Sequence, residues 1–347
     1  MTDISDIVTK SRKQQVHDIH PQPHQTALPE KPSISRYDEI GNRLKAYRLG
    51  ANLSADDIAA RLGISRTALY RFERGELAKI ETLERLADLL GVSVATLLGV
   101  GVEYIPSAIS YFERMRQIEE TSDHIIVLSG PVSSRFASDE FVETLEQVLT
   151  ESVTDDVSDR KRVLGDIPKV MKIVRERREL YRRRRPAIVK IISAKEVERF
   201  LRQGLMGSDD LPDRVVQQRR ELVRREVRQL VQMLESPPVG IQIGILRDTM
   251  PHVGFQLFRQ PDRRVLALSP FRLGGEPNIR VGVAMLTSAP DALAFHETSV
   301  DEMWGRALKG QVAADLVRRL LEDEKNTTGA RGKWRTHIAD RKGTRHG

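Results

Sequence analysis

The sequence has 347 residues and no cysteine, which excludes disulfide bonds, thiolate metal sites and a cysteine nucleophile. This length predicts a multidomain protein, and a hydrophobic content of 39% indicates that parts of the chain stay solvated. The formal net charge is +7, and no apolar run reaches the roughly 20 residues that cross a membrane, so we expect a cytoplasmic protein with no membrane partner.

Both ends of the chain are polar and lack the periodic apolar pattern of a folded element. We predict a disordered arm over residues 1–35 and a disordered basic tail over residues 322–347. The arm contains His17, His20 and His24, whose spacing is compatible with metal ligands, but without a cysteine or a folded frame we interpret them as solvated. The sequence predicts no metal site and no cofactor.

Residues 36–99 predict a bundle of five short amphipathic helices. The segment LSADDIAARLGISRTALYRFERGE spans residues 53–76. Ser54 and Ser65 stand where helix N-caps are expected, and Gly63 breaks the chain between the two helices. A helix, a glycine turn and a serine-capped second helix can place the second helix in the DNA major groove, which is about 12 Å wide.

This motif and its flanks strongly resemble the lambda-repressor/Cro-like (XRE-type) helix-turn-helix family, over about residues 40–98. The resemblance implies an all-α five-helix DNA-binding domain at 36–99 and double-stranded DNA as the partner. It implies base reading by Arg66, Thr67 and Arg71, and phosphate binding by Ser54, Ser65 and Arg74.

The resemblance also implies an ion pair between Arg48 and Glu73 that joins the first and third helices. Ala55 departs from the family, which often has a phosphate-binding glutamine at this position, so we expect weaker binding or more reliance on neighbouring arginines. Residues 36–100 carry 10 basic and 9 acidic side chains, a net charge of +1. Such a domain offers few phosphate contacts, and we therefore predict a homodimer with its interface beyond residue 100.

After a connecting helix within residues 100–123, strand-like runs alternate with long helices, and an α/β domain with a largely parallel sheet is predicted at 124–321. Residues 254–269 predict an antiparallel hairpin at a sheet edge. The predicted strands are 124–129, 187–193, 239–246, 254–258, 264–269 and 280–287, and the predicted helices lie near 138–152, 167–185, 194–203, 212–235 and 290–321.

The second domain shows no phosphate-binding G-x-x-x-x-G-K-[ST], H-E-x-x-H or G-x-S-x-G motif, so we expect a domain that is not an enzyme. Segments 124–141 and 280–308 are loosely similar to non-catalytic phospholipase-D-like sensor domains, and the H-x-K-x₄-D signature of the active enzymes is missing. An enzyme or cofactor-handling domain tethered to DNA is the alternative, and a dimerisation domain without a ligand is a third hypothesis.

Polar residues follow several of the predicted strands, where open α/β sheets bind ligands. Ser129, Ser133, Ser134, Arg135 and Arg247 therefore form a candidate site for a small anionic metabolite. Taken together, the sequence predicts a sequence-specific transcriptional regulator that is modulated by such a ligand.

An arginine-rich run at 175–185, with Lys169 and Lys172, is either a second polyanion surface or a partner for acidic residues of the chain. Residues 101–159 carry 13 acidic and 3 basic side chains, a net charge of −10. This excess of negative charge favours pairing within the protein.

Overall fold

A computed structural model describes residues 36–324, except 77, 249, 252, 275 and 276. The predicted arm at 1–35, with its histidines, and residues 325–347 of the predicted tail lie outside the described residues. Within the described part of the chain, no helix is both long and apolar enough to cross a membrane.

The described residues between 36 and 98 form five helices, as the pattern predicts. They are α1 (Arg36–Gly50), α2 (Ala55–Leu62), α3 (Arg66–Glu73), α4 (Ile80–Leu90) and α5 (Val94–Leu98). Each of the five contributes apolar side chains to the bundle's part of the protein core, which contains Leu44, Ile58, Leu69, Leu86 and Leu97, all 2% exposed or less. Burial of each such side chain contributes about 1.5–3 kcal/mol to stability.

The segment between the helical bundle and the second domain contains a strand as well as the predicted helix. β1 (Val102–Ile105) precedes α6 (Ala108–Thr121), and β1 pairs antiparallel with the strand at Ala284–Thr287. Part of the segment 100–123, strand β1, therefore belongs to the sheet, so the segment is more than a helical connection.

The remaining elements follow in chain order. They are β2 (His124–Leu128), α7 (Asp139–Glu151), α8 (Arg160–Arg184), β3 (Ala187–Ser193), α9 (Ala194–Gln203), α10 (Asp213–Glu235), β4 (Ile241–Leu246), β5 (Phe255–Arg259), β6 (Arg264–Leu268), β7 (Ala284–Thr287) and α11 (Pro290–Arg306).

The described strands form one seven-stranded mixed sheet in the order β1-β7-β6-β5-β2-β3-β4. The multidomain layout of a helical bundle followed by an α/β domain is confirmed, but only the β2–β3 and β3–β4 pairs are parallel. The predicted hairpin forms as β5 and β6, yet it lies inside the sheet because β5 also pairs with β2 and β6 with β7.

The two faces of the sheet are covered differently. One face packs into the large core that α6 to α10 share with the helical bundle. On the other face α11 lies across the strands and contributes Leu293, Val300 and Trp304 to a smaller core.

The predicted single helix at 290–321 is broken. α11 ends at Arg306, and a further helix, α12, covers residues 310–324. The break has a tertiary cause, because the backbone of Leu308 exchanges hydrogen bonds with Ile245 at the edge of β4. The predicted tail also begins too early, since residues 322–324 are still helical.

Candidate nucleic-acid interface

The turn between α2 and α3 is fixed by local capping. Ser54 and Asp57 form a reciprocal capping box at the start of α2, with the Asp57 amide donating to Ser54 Oγ at 3.0 Å. Gly63 ends α2 in the left-handed region at φ +66°, which favours glycine. Ser65 then caps α3 by accepting from the Ala68 amide at 3.0 Å. Both serines predicted to bind phosphate therefore also cap a helix.

The outward face of α3 is polar and exposed. Leu69 and Glu73 are buried against the bundle, whereas Arg66, Thr67 and Arg71 are exposed to solvent. The three predicted base-reading side chains thus share the accessible side of one helix. Sequence reasoning missed Tyr70, which lies on this same face at i+4 from Arg66 and is 37% exposed.

Arg66 is held by two neighbours. Its Nε and Nη2 each donate to Tyr70 Oη at 3.3 Å, and its Nη1 lies 3.5 Å from Asp56 Oδ2 on α2. The hydrogen bond to Tyr70 and then the Asp56 carboxylate raise the pKa of Arg66. Both members of the ion pair are more than half exposed, so the contact orients the guanidinium group without contributing much stability.

The other two predicted arginines also have local partners. Arg71 Nε donates to Glu76 Oε2 at 2.6 Å, and Arg74 Nε donates to the Tyr70 carbonyl at 3.2 Å. Thr67, Tyr70 and Arg74 line a groove of about 760 Å³, and its lining also includes Lys45 and Arg116. The exposed face of α3 therefore borders α1 and α6.

The ion pair between Arg48 and Glu73 is confirmed. Arg48 Nε and Nη2 donate to the two Glu73 carboxylate oxygens at 2.5 and 3.1 Å, and both side chains are largely buried. Arg48 Nη1 also donates to the Leu53 carbonyl at 3.2 Å. One guanidinium group thus fixes α1, the end of α3 and the residue before the α2 cap.

A buried ionic cluster joins the helical bundle to the sheet, and we name it the junction cluster: Glu39, Arg43, Glu103, Arg114 and Arg263. Arg114 of α6 is 1% exposed and donates to Glu103 Oε1 at 2.8 Å and to Glu39 Oε2 at 3.3 Å. Arg43 Nε donates to Glu103 Oε2 at 3.1 Å, and Arg263 lies 2.5 Å from Glu39. The cluster was not predicted, because it brings together three parts of the chain that are far apart in the sequence: 39–43, 103–114 and residue 263.

The electrostatics of the junction cluster favour the charged form of Glu39. Burial alone raises the pKa of Glu39, but Arg114, Arg263 and Arg43 outweigh it and lower the pKa to about 2. Burial, followed by repulsion from Arg114, lowers the pKa of Arg43. The cluster borders a cleft of about 600 Å³ whose walls also include Leu98, Val265 and Leu286.

The predicted anion site at the strand ends is not brought together around a cavity of metabolite size. Arg135 is buried and pairs with Glu119, which also accepts two hydrogen bonds from Arg177. The cavity beside Ser133 measures about 20 Å³, enough for one water molecule. Ser129 and Ser134 are partly exposed in the loop after β2, and Arg247 is exposed after β4, two strands away.

Arginines 175–185 mostly pair within the protein. Arg177 and Arg178 are buried with Glu119 and Asp139 as their partners, and Arg175 pairs with Glu146. Lys190 of β3, by contrast, is fully buried with a carbonyl as its hydrogen-bond acceptor, Pro131 O at 2.9 Å. Burial, and then the charge of Arg135, lower the pKa of Lys190 to about 7.

Comparison with known proteins identifies the first domain. The helix-turn-helix domain family matches residues 39–98. A curated protein of Pyrobaculum aerophilum, named as an HTH-type transcriptional regulatory protein, is 38% identical over 55 residues. The match covers 16% of this chain and 22% of that protein, so the chain spans about a fifth of its relative.

Two solved structures are also similar over part of their length. The apo form of ComR from S. thermophilus is 16% identical, and the apo form of the competence regulator ComR from Streptococcus vestibularis is 17% identical. Each match covers 57% of this chain and 72% of the other, with a TM-score of 0.18. The family match, together with the five helices and the capped turn, shows that residues 39–98 are a helix-turn-helix domain.

Proposed function

We propose that the protein is a sequence-specific DNA-binding transcriptional regulator. The observation that carries the proposal is the exposed face of α3, on which Arg66, Thr67, Tyr70 and Arg71 stand together while Leu69 fixes the helix from behind. A helix presented in this way fits the DNA major groove. The name of the Pyrobaculum aerophilum relative supports the same function.

Arg66 and Arg71 read bases in this proposal. Each arginine now contacts an exposed carboxylate, and exposed ion pairs contribute about 0–1 kcal/mol. A bidentate contact from arginine to guanine O6 and N7 contributes about 1–3 kcal/mol of discrimination. The guanine contact therefore outweighs the intramolecular contact that it replaces, and Thr67 lies beside them to contact a thymine methyl group.

Ser65 and Arg74 supply the phosphate contacts. The Ser65 hydroxyl accepts from Ala68 as the α3 cap, and its own proton can be donated to a phosphate oxygen. Ser54 donates its hydroxyl proton to Asp57 Oδ2 at 2.6 Å, so a phosphate at this position must displace an acidic partner. We therefore assign Ser54 a weaker phosphate contact than Ser65.

The test is selection of a preferred site from random duplexes, followed by binding of the single variants Arg66→Ala and Arg71→Ala. Each variant should lose about 1–3 kcal/mol on the selected site and relax preference at one base pair. Arg85→Ala, an exposed arginine on α4, is the matched control and should bind as the wild type does. Equal losses on selected and random DNA would reassign Arg66 and Arg71 to phosphate contacts.

The proposal includes a homodimer. The net charge of +1 over residues 36–100 gives one domain little electrostatic affinity, and pairing of half-sites compensates for it. Tyr104 of β1 and Met285 of β7 are register partners on the same face of the sheet, and they are 53% and 37% exposed. An exposed apolar pair at a sheet edge supports an interface beyond residue 100.

Sedimentation of the full chain tests the dimer. Tyr104→Glu places a charge on this face and should shift the protein toward monomer, whereas Tyr37→Glu on α1 is the matched control. A monomer for the wild type at the concentration that saturates DNA would contradict the dimer.

Control by a small anionic metabolite belongs to the same proposal, and the junction cleft supports it better than the 129–135 loop does. A volume of about 600 Å³ is in the range of ligand pockets, and Arg43 and Arg263 stand beside apolar Val265 and Leu286. A ligand carboxylate there competes with Glu39 for the arginines that hold α1.

The test of the metabolite is a melting screen of organic acids against the wild type and Arg263→Gln, in which the variant should lose the shift. A compound that is turned over, with loss of turnover on Arg263→Gln, would instead favour the enzyme alternative.

A further inference from the structure

The N-terminal half of α8 carries cations on one exposed face, and we name it the α8 stripe: Lys161, Arg162, Gly165, Lys169 and Lys172. Lys161 and Arg162 are neighbours, and from each of them the stripe continues in steps of three or four positions, so all five residues lie on one side of the helix. Arg162 and Lys169 are 61% and 49% exposed, and both lysines at the ends of the stripe are exposed. The stripe is distinct from the arginines at 175–185, most of which pair inside the protein.

The acids near the α8 stripe offset only part of its charge. Asp159 lies 3.1 Å from Arg162, and Asp166 lies 3.4 Å from Lys169. Among the described residues, Lys161 and Lys172 form no ion pair. The charge of four cations is therefore offset by only two carboxylates. A positive excess remains on the exposed side of the helix.

The stripe contacts the helix-turn-helix domain at the turn before α2. The Asn52 side chain donates to Asp166 Oδ1 at 3.0 Å, and Lys169 Nζ donates to Asn52 Oδ1. Asn52 precedes the α2 cap, Ser54, by two residues, which is at most about 7 Å of chain. The ammonium group of Lys169 is therefore close to the N-terminal end of α2, where backbone amides and the helix dipole favour an anion.

Gly165 gives a second, independent indication of a close partner. Apart from proline, glycine is the least favourable residue in a helix interior. No heavy atom lies within 4 Å of a Cβ built on Gly165, so packing inside the protein does not require a glycine here. Because Gly165 has no side chain, a partner can approach the helix backbone closely at this position, between the four cations.

We infer that the α8 stripe binds the phosphate backbone of the DNA that α3 reads, and extends the contact of the helix-turn-helix domain to flanking phosphates. The inference rests on the proposed function. The Ser54 hydroxyl donates its proton to Asp57, and Ala55 has no polar side chain. The N-terminal end of α2 alone is therefore a poor phosphate site. Lys169 and Lys172 supply the missing charge from the second domain.

The test measures how binding of the full chain to a random-sequence duplex depends on salt, by fluorescence anisotropy. Each phosphate contact contributes about 0.9 to the slope of log K against log salt concentration. The double variant Lys169→Gln/Lys172→Gln should therefore reduce the slope by about 1.8. The matched control is Lys195→Gln/Arg202→Gln on α9, which removes two exposed cations from a helix that packs on α10 and β3.

A third variant, Gly165→Leu, separates contact from folding. It keeps every charge and improves helix propensity, so its melting temperature should not fall, while its DNA affinity should weaken. A slope for the lysine double variant equal to that of the α9 control would overturn the inference and leave the proposed function standing. A wild type that binds no duplex at any salt concentration would refute the proposed function itself.

A further measurement addresses an acidic protein as the partner. Loss of binding to polyglutamate in the lysine double variant, with DNA binding unchanged, would assign the stripe to an acidic protein and overturn the inference.

Discussion

Replacement of Lys190 by methionine should stabilise the protein, because the native structure disfavours the charge on this lysine. The pKa of Lys190 is about 7 in the fold, against 10.5 for the free side chain. At about 1.36 kcal/mol per pKa unit, the difference destabilises the fold by about 4 kcal/mol at pH 7. Loss of the hydrogen bond to Pro131 offsets about 1 kcal/mol of the gain.

The pH dependence of this effect follows from linkage. Between pH 7 and 10.5 the unfolded chain binds a proton at Lys190 that the native state has released, so wild-type stability rises with pH in this window. The gain in unfolding free energy from Lys190→Met should therefore be about 3 kcal/mol at pH 7 and about 1 kcal/mol at pH 9. The gain should reach its maximum below pH 7.

Urea unfolding of both proteins at pH 7 and pH 9 measures these values. The matched control is Lys195→Met, because Lys195 is an exposed lysine five residues away, and its replacement should change stability by no more than about 0.5 kcal/mol. A destabilised Lys190→Met variant, or a gain that is the same at both pH values, would refute the reasoning.

Three further outcomes are expected. Glu73→Gln should cost about 3–5 kcal/mol of unfolding free energy by urea titration, because it leaves the buried Arg48 without its counter-charge. Asp56→Asn should tighten DNA binding in a gel shift, because it removes an exposed carboxylate from Arg66, and unchanged binding would count against base reading by Arg66. Glu39→Gln should make the unfolding free energy depend less on pH in the acid range. The charged Glu39 stabilises the fold above pH 4.5, and this contribution is lost as the pH falls toward 2.

Elements with a strong local signal were predictable from the sequence. The capped turn at Ser54, Gly63 and Ser65 was predicted in place, because each residue acts on its own neighbours in the chain. The same is true of α9, whose predicted bounds of 194–203 agree with the structure. The ion pair of Arg48 with Glu73 was predictable only through the family resemblance, since it joins helices 25 residues apart.

Features that depend on distant partners were missed. β1 has four residues, one of them the buried Glu103, and its pairing partner β7 lies about 180 residues away. α8 starts at Arg160, whereas the sequence predicts a start near residue 167. The first turns were missed because Gly165 and Pro168 are helix breakers on local rules, yet the helix accommodates both at exposed positions. Arg135 was predicted as a ligand contact because the sequence does not show that its guanidinium group forms an ion pair with Glu119 in the fold.

The junction cluster limits how this protein can evolve and be engineered. Glu39 and Arg43 belong to the DNA-binding domain, while Glu103, Arg114 and Arg263 belong to the segments that build the sheet. A chimera that exchanges residues 36–98 for another helix-turn-helix domain without these two charges would leave Arg114 and Glu103 buried with an incomplete set of partners. The DNA-binding domain is therefore not an interchangeable module, and a change of target site is best made on the exposed face of α3.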